Sequence, residues 1–214
     1  PARESSECGH SPIGAEDRTR KATPKDQYAA KHNPFVYFHS IIDDKARCRK
    51  RVVNLRALER DLRKLDTTPN YSYISPSLCH DGHDAPCRNG EPGGLVSADK
   101  FLREWIPRIT ASAAYRQGGL IVITFDEATM ADTTACCGEQ PLPGGPKPGI
   151  DGPGGGRIGA LLLSPHIAPG TVSDLPYNHY SLLRWTEDNF GLDPLGYAGA
   201  TGLATFGGDV FGAR

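Results

Sequence analysis

Leu120 to Phe125 is an unbroken run of apolar and β-branched residues, set between Gly118-Gly119 and Asp126-Glu127. It lacks the apolar–polar alternation of a half-exposed strand, so it reads as a strand covered on both faces. Ile158 to Leu163 is a second run of this kind. Strands covered on both faces belong to parallel sheets with helices packed above and below. The chain supplies helix signals to match. After Val53, the residues Leu55, Leu58, Leu62 and Leu65 recur at three- and four-residue intervals. Ser97 is placed to cap a helix that carries Phe101, Leu102, Trp105, Ile106 and Ile109 on one face, with Pro107 as a kink or boundary. His179 to Phe190 reads as a further helix, and Phe35–Phe38 and Tyr71–Ser75 as two more strands. This order predicts an α/β fold, a mainly parallel sheet sandwiched by helices. Residues 1–214 form one domain on this reading, with a Gly/Pro-rich insertion at 138–156 that regular structure cannot occupy.

Active sites of open α/β sheets gather beyond the carboxyl ends of the strands. Two predicted strands end in polar clusters: Tyr71–Ser75 leads to His80, Asp81, His83 and Asp84, and Leu120–Phe125 leads to Asp126 and Glu127. Asn178 and His179 stand just before the last helix, and His32 and Asn33 just before the strand at 35. Imidazoles and carboxylates offer nitrogen and oxygen ligands to a divalent metal, and the same groups serve as general acids and bases. The bland alternatives are a solvated turn for the His80–Asp84 stretch, a helix cap for Asp126-Glu127, and a helix-start histidine for His179. No G-x-S-x-G elbow surrounds Ser77, Ser164 or Ser181, which argues against a serine hydrolase of the α/β-hydrolase type.

Charge and cysteine narrow the setting. With 24 basic and 25 acidic residues, the overall balance gives no case for binding nucleic acid or an anionic membrane. No apolar run approaches the length of about 20 residues that spans a bilayer. Six cysteines without a C-x-x-C pair disfavour zinc ribbons and thioredoxin-type motifs. Cys79 and Cys87 bracket a short loop suited to a local disulfide, Cys8 with Cys48 would then staple the N-terminal segment, and the adjacent Cys136 and Cys137 remain. Disulfides mark oxidising compartments, so a secreted or extracytoplasmic protein is expected, six free thiols in a cytosolic enzyme being the alternative.

Five segments in this order, KHNPFVYF (31–38), SPSLCHDGHD (75–84), GGLIVITFDEA (118–128), GGGRIGALLLSPHIAPGT (154–171) and YNHYSLLRWTEDNFGL (177–192), resemble the bacterial phosphoesterase family. That family holds phospholipases C and acid phosphatases within the alkaline-phosphatase-like superfamily. The resemblance implies metal-assisted hydrolysis of a small-molecule or lipid phosphate ester by a Ser or Thr nucleophile. Carried over motif by motif, Asp126, Glu127, Asp81 and His83 become candidate ligands of a divalent ion (zinc, calcium, iron or manganese). His83, His179 and Asp84 become candidate catalytic groups, and His32, Asn33, His80 and Asn178 candidate substrate contacts. The family's Glu-Asn ligand motif and nucleophile segment have no counterpart in this sequence. The resemblance therefore implies the C-terminal two-thirds of a longer enzyme, with the nucleophile upstream or on a separate chain. Two other functions stay open: a non-catalytic secreted binding module of the same fold, and a hydrolase of sulfate or phosphonate esters.

Overall fold

A computed structural model describes residues 6–129, 131–136 and 152–212. Its contacts cluster into two compact units that divide between Gln117 and Gly118.

The named elements described in the first unit are all helices and 3-10 turns, joined by long irregular stretches. Two single 3-10 turns, Ala30–His32 and Pro34–Tyr37, lead into the short helices α1 (His39–Ile42), α2 (Lys45–Arg51) and α3 (Arg56–Asp61). Ala30, Val36, Ile42 and Cys48 form the buried cluster beneath them, with Cys8, Tyr28, Ile41 and Val52 packed around it. Cys8 is bonded to Cys48, and its N–H donates to Val52 O at 2.7 Å, so the N-terminal segment is stapled to the middle and the C-terminal end of α2. The expected strand at Phe35–Phe38 is thus a 3-10 turn. Pro34 opens it with a φ already suited to a turn, and no strand among the described residues pairs with it. The leucine stripe after Val53 yields only α3 and a 3-10 turn at Leu65–Thr67, ended where Thr67 and Thr68 hydroxyls donate to the Asp61 carbonyl. Tyr71–Ser75 is exposed and pairs with no strand among the described residues, which corrects that strand as well.

Helix α4 (Gly94–Thr110) is the longest element, and its buried stripe centres on Trp105. The expected cap, Ser97, sits one turn inside it, fully buried, and accepts the Gly93 N–H at 2.9 Å. Gly93 is the true cap position, at φ 72°, where a Cβ would overlap the Asp84 carbonyl. Only glycine permits that approach, and it ties the His80–Asp84 loop to the start of α4 through Gly94 N–H to Asp84 O at 2.8 Å. Pro107 lies within the last turn without ending the helix, and α5 (Ala113–Arg116) follows. A second disulfide, Cys79–Cys87, closes the same loop from below.

The second unit contains β1 (Ile121–Thr124) and β2 (Ala160–Leu163), paired antiparallel with Ile121 opposite Leu163. The expectation of a mainly parallel sheet is corrected here. A parallel pair needs a crossover, usually a helix, and the described residues of the connection between the two strands contain none. Leu161 is 56% exposed, so β2 is not covered on both faces. Helix α6 (His179–Phe190) has the expected bounds for a local reason. Asn178 and Ser181 form a reciprocal capping box, and Gly191 ends the helix at φ 62°. Against it pack Phe206, Phe211 of α7 (Gly208–Phe211) and Tyr177, with ring centroids 5.0 to 6.0 Å apart around Trp185 and Phe206. Residues 137–151 lie outside the described residues, and with them Cys137 and most of the predicted insertion. No helix among the described residues is long and apolar enough to cross a membrane.

Candidate functional site

In the first unit the Ser75–Asp84 segment folds as consecutive turns. Leu78 N–H donates to Gln27 O, and His80 N–H to Ser77 O, which anchors the polar residues that follow. Ser77 Oγ lies 3.0 Å from His80 Nδ1. With that hydroxyl donating, the ring carries its N–H on Nε2, which faces Glu91 Oε2 at 3.7 Å. Glu91 also accepts from Lys100 Nζ at 2.8 Å and from Asn89, and these bonds hold its carboxyl below the ordinary range. Cys79, His80 and Glu91 approach closely enough to suggest a metal set. Cys79 is spent in a disulfide and offers no thiolate, so this trio is a poor cation site.

Asp81 Oδ1 accepts the His83 N–H at 2.9 Å across Gly82, whose φ of 96° lets the turn close. Its Oδ2 is buried without a hydrogen bond and faces His32 Nδ1 at 3.7 Å. Burial raises the Asp81 carboxyl above the ordinary range, opposed by the His83 N–H and by His32. Such a group stabilises the fold only below its unfolded pKa, and the contribution is lost as pH rises through the folded value. Asp81→Asn keeps the acceptor for His83 and removes the buried charge. It is expected to raise the melting midpoint at pH 7 by about 2–5 °C and to leave it unchanged at pH 3. Differential scanning fluorimetry at both values checks this, and a lower midpoint at pH 7 contradicts it.

His83 Nδ1 lies 2.9 Å from Asp84 Oδ1; a carboxylate only accepts, so Nδ1 donates and Nε2 presents its lone pair to solvent. Asn33 Nδ2 donates to the Tyr28 hydroxyl, which in turn donates to Gly9 O. His32, Asn33, Ser77, His80 and Glu91 all line one open groove of about 1430 Å³ within this unit.

In the second unit Asp126 and Glu127 follow β1 directly, both exposed, and His179 opens α6. His179 Nε2 donates to the Asp126 carbonyl at 2.8 Å, so the tautomer is fixed and Nδ1 keeps its lone pair. Asp126 Oδ1 accepts the Glu127 N–H at 3.1 Å. No described Lys or Arg pairs with either carboxylate. Oxygen donors left unneutralised beside an oriented imidazole suit a divalent cation, so the residues present fit such an ion. Asn178 Oδ1 is committed to the Ser181 N–H in the helix cap.

Gly152–Gly156 is structural here. Gly154 and Gly156 N–H groups donate to the Thr133 and Thr134 carbonyls, and Ala128 N–H donates to Gly155 O. A Cβ at Gly156 would overlap the Asp132 carbonyl and the Ala128 side chain. Asp132 braces this contact by accepting from Arg157 and Thr134, which lowers its carboxyl's pKa. Sequence reasoning missed Glu91 and Asp132. Each acts through partners that only folding supplies, although the Asn89–Glu91 turn is local enough to have been suspected.

A sequence model described as the phosphoesterase family matches residues 9–193. The chain is 28% identical over 174 residues to a phosphate-repressible acid phosphatase of Penicillium chrysogenum, covering 80% of this chain and 35% of that protein. It is 28% identical over 184 residues to an acid phosphatase of Aspergillus fumigatus, covering 83% and 34%. A phosphatidylinositol-3-phosphatase of Mycobacterium tuberculosis is 24% identical over 172 residues, covering 80% and 44%. The chain thus spans about a third of the length of the acid phosphatases it matches. No solved structure matches it.

Proposed function

Because the chain belongs to the phosphoesterase family, we propose that it takes part in hydrolysing phosphate esters with the help of a divalent metal ion. Relatives named as acid phosphatases and as a phosphatidylinositol phosphatase support the substrate class. The observation that carries the reading is the end of β1. There two exposed carboxylates without a cationic partner stand beside His179, whose Nε2 is held on the Asp126 carbonyl.

Asp126 and Glu127 are the proposed metal ligands, with Asp81 and His83 as further candidates. A divalent ion neutralises phosphoryl oxygens and lowers the pKa of a bound hydroxyl. The attacking group is a Ser or Thr hydroxyl, as the resemblance implies. His179 offers Nδ1 as a proton acceptor. His83, oriented through Nδ1 by Asp84, presents its Nε2 lone pair as a second catalytic group able to accept a proton. His32, Asn33 and His80 along the groove, and Asn178 at the start of α6, are the proposed substrate contacts. The Cys8–Cys48 and Cys79–Cys87 disulfides suit an extracytoplasmic protein.

Parallel assays of p-nitrophenyl phosphate and p-nitrophenyl sulfate, on the longer enzyme that the resemblance implies, test the reading. Phosphate release that clearly exceeds sulfate release is expected. Preference for the sulfate ester would move the protein to that reaction, and release from neither would favour a binding module.

A further inference from the structure

The formal net charge of −1 averages over a strongly basic stretch. Between Lys45 and Lys64 stand nine Lys and Arg residues against two acids, Glu59 and Asp61, a local formal charge of +7. The stretch comprises α2, α3 and their flanks, and all nine cations are exposed. Asp61 pairs with its neighbour Arg60 at 3.5 Å, while Glu59 is engaged by Arg108 of α4 at 3.1 Å. Among the described residues Arg47, Lys50, Arg51 and Arg56 are in no ion pair, so their charge is available to a ligand.

Four of these unpaired cations and Arg60 line the groove that His32, Asn33 and His80 also line. The whole lining carries seven Lys and Arg residues against four acids, Asp26, Asp61, Glu91 and Glu104, and an excess of one sign in a low-dielectric cleft focuses the field there. Guanidinium groups match phosphate oxygens in paired hydrogen bonds. The groove is larger than the roughly 300–1,000 Å³ of a common small-molecule pocket, which leaves room beyond a single phosphate. A membrane would meet a convex face, whereas these cations line a concavity.

We propose that this groove selects soluble small molecules carrying two or more phosphate groups, with Arg47, Arg51 and Arg56 holding phosphate oxygens. The proposal rests on the phosphate-ester reading for its ligand class, but its test is a binding measurement that needs no turnover.

Isothermal calorimetry with sodium tripolyphosphate and with orthophosphate is the experiment. It compares the unmodified protein, the triple variant Arg47→Gln, Arg51→Gln, Arg56→Gln, and a charge-matched control, Arg20→Gln, Lys21→Gln, Arg88→Gln. The triple variant should weaken tripolyphosphate binding at least about tenfold, since each lost contact is a charge-assisted hydrogen bond. The control should bind as the unmodified protein does, and orthophosphate should be affected little. Added salt should weaken tripolyphosphate binding more in the unmodified protein than in the triple variant. Equal affinity of the unmodified protein and triple variant would overturn the proposal, as would an equal loss in the control. Sedimentation with phosphatidylserine vesicles without tripolyphosphate binding would make the wall a membrane surface and also overturn it. Tripolyphosphate binding without phosphatase activity would sink the hydrolytic reading and leave the groove's specificity standing.

Discussion

Replacing Asp126 by Asn should lower kcat/KM for p-nitrophenyl phosphate by about 100-fold or more, since even a residue that merely orients a metal ligand contributes up to about that factor. The fold should survive. The backbone carbonyl that receives His179 Nε2 is untouched, and an amide oxygen still accepts the Glu127 N–H. What is lost is one negative charge at a place where no described cation balances it. Steady-state kinetics with a melting curve on the same preparation separates the two effects. A large fall in turnover with a midpoint within about 2 °C of the unmodified protein is the expected pair of results. Turnover that does not change removes Asp126 from the chemistry.

Removing the Cys8–Cys48 bridge by a double Cys→Ala substitution should be the most destabilising change in the first unit. The bridge spans 40 residues of sequence, and chain-entropy reasoning gives such a loop about 4 kcal/mol. Cys48 is also fully buried in the small cluster with Ala30, Val36 and Ile42, so there is little other core to hold α2. A loss of that size is a large fraction of a typical domain's stability and corresponds to a fall of roughly 15–30 °C in Tm. The Cys79–Cys87 bridge spans 8 residues and should contribute less, about 2.5 kcal/mol. Its loss should instead loosen the His80–Asp84 loop. Thermal denaturation of the two double variants checks the order; a larger loss from the shorter bridge contradicts it.

What could be read from the sequence was mostly local. Asn178, Ser181 and Gly191 carry the start and stop of α6 within their own side chains and backbone, and the helix has the expected bounds. The Cys79–Cys87 bridge followed from its short loop, and Cys8–Cys48 from the cysteines that this pairing left. Strands were harder, because a strand is completed by a partner elsewhere in the chain. Phe35–Phe38 has the composition of a strand, yet Pro34 and the absence of a neighbour make it a turn. Ser97 has the chemistry of a cap, but Gly93 alone tolerates the Asp84 carbonyl, so α4 starts earlier. Asp126 and His179 were singled out by their motifs, and the contact joining them crosses 53 residues. Glu91 was not, since its link to His80 depends on how the Asn89–Glu91 turn folds back. The basic wall of the groove was hidden for another reason: an average over the chain cancels it.

In the proposed function, phosphate-ester hydrolysis depends on a divalent ion held at Asp126 and Glu127. Phosphate release from p-nitrophenyl phosphate should be measured before chelation, after removal of metal with EDTA, and after restoring divalent ions one at a time, for the unmodified protein and for Asp126→Asn. Turnover should vanish on chelation and return with at least one ion in the unmodified protein, with little recovery in the variant. Turnover that persists through chelation, or full recovery in Asp126→Asn, would contradict it.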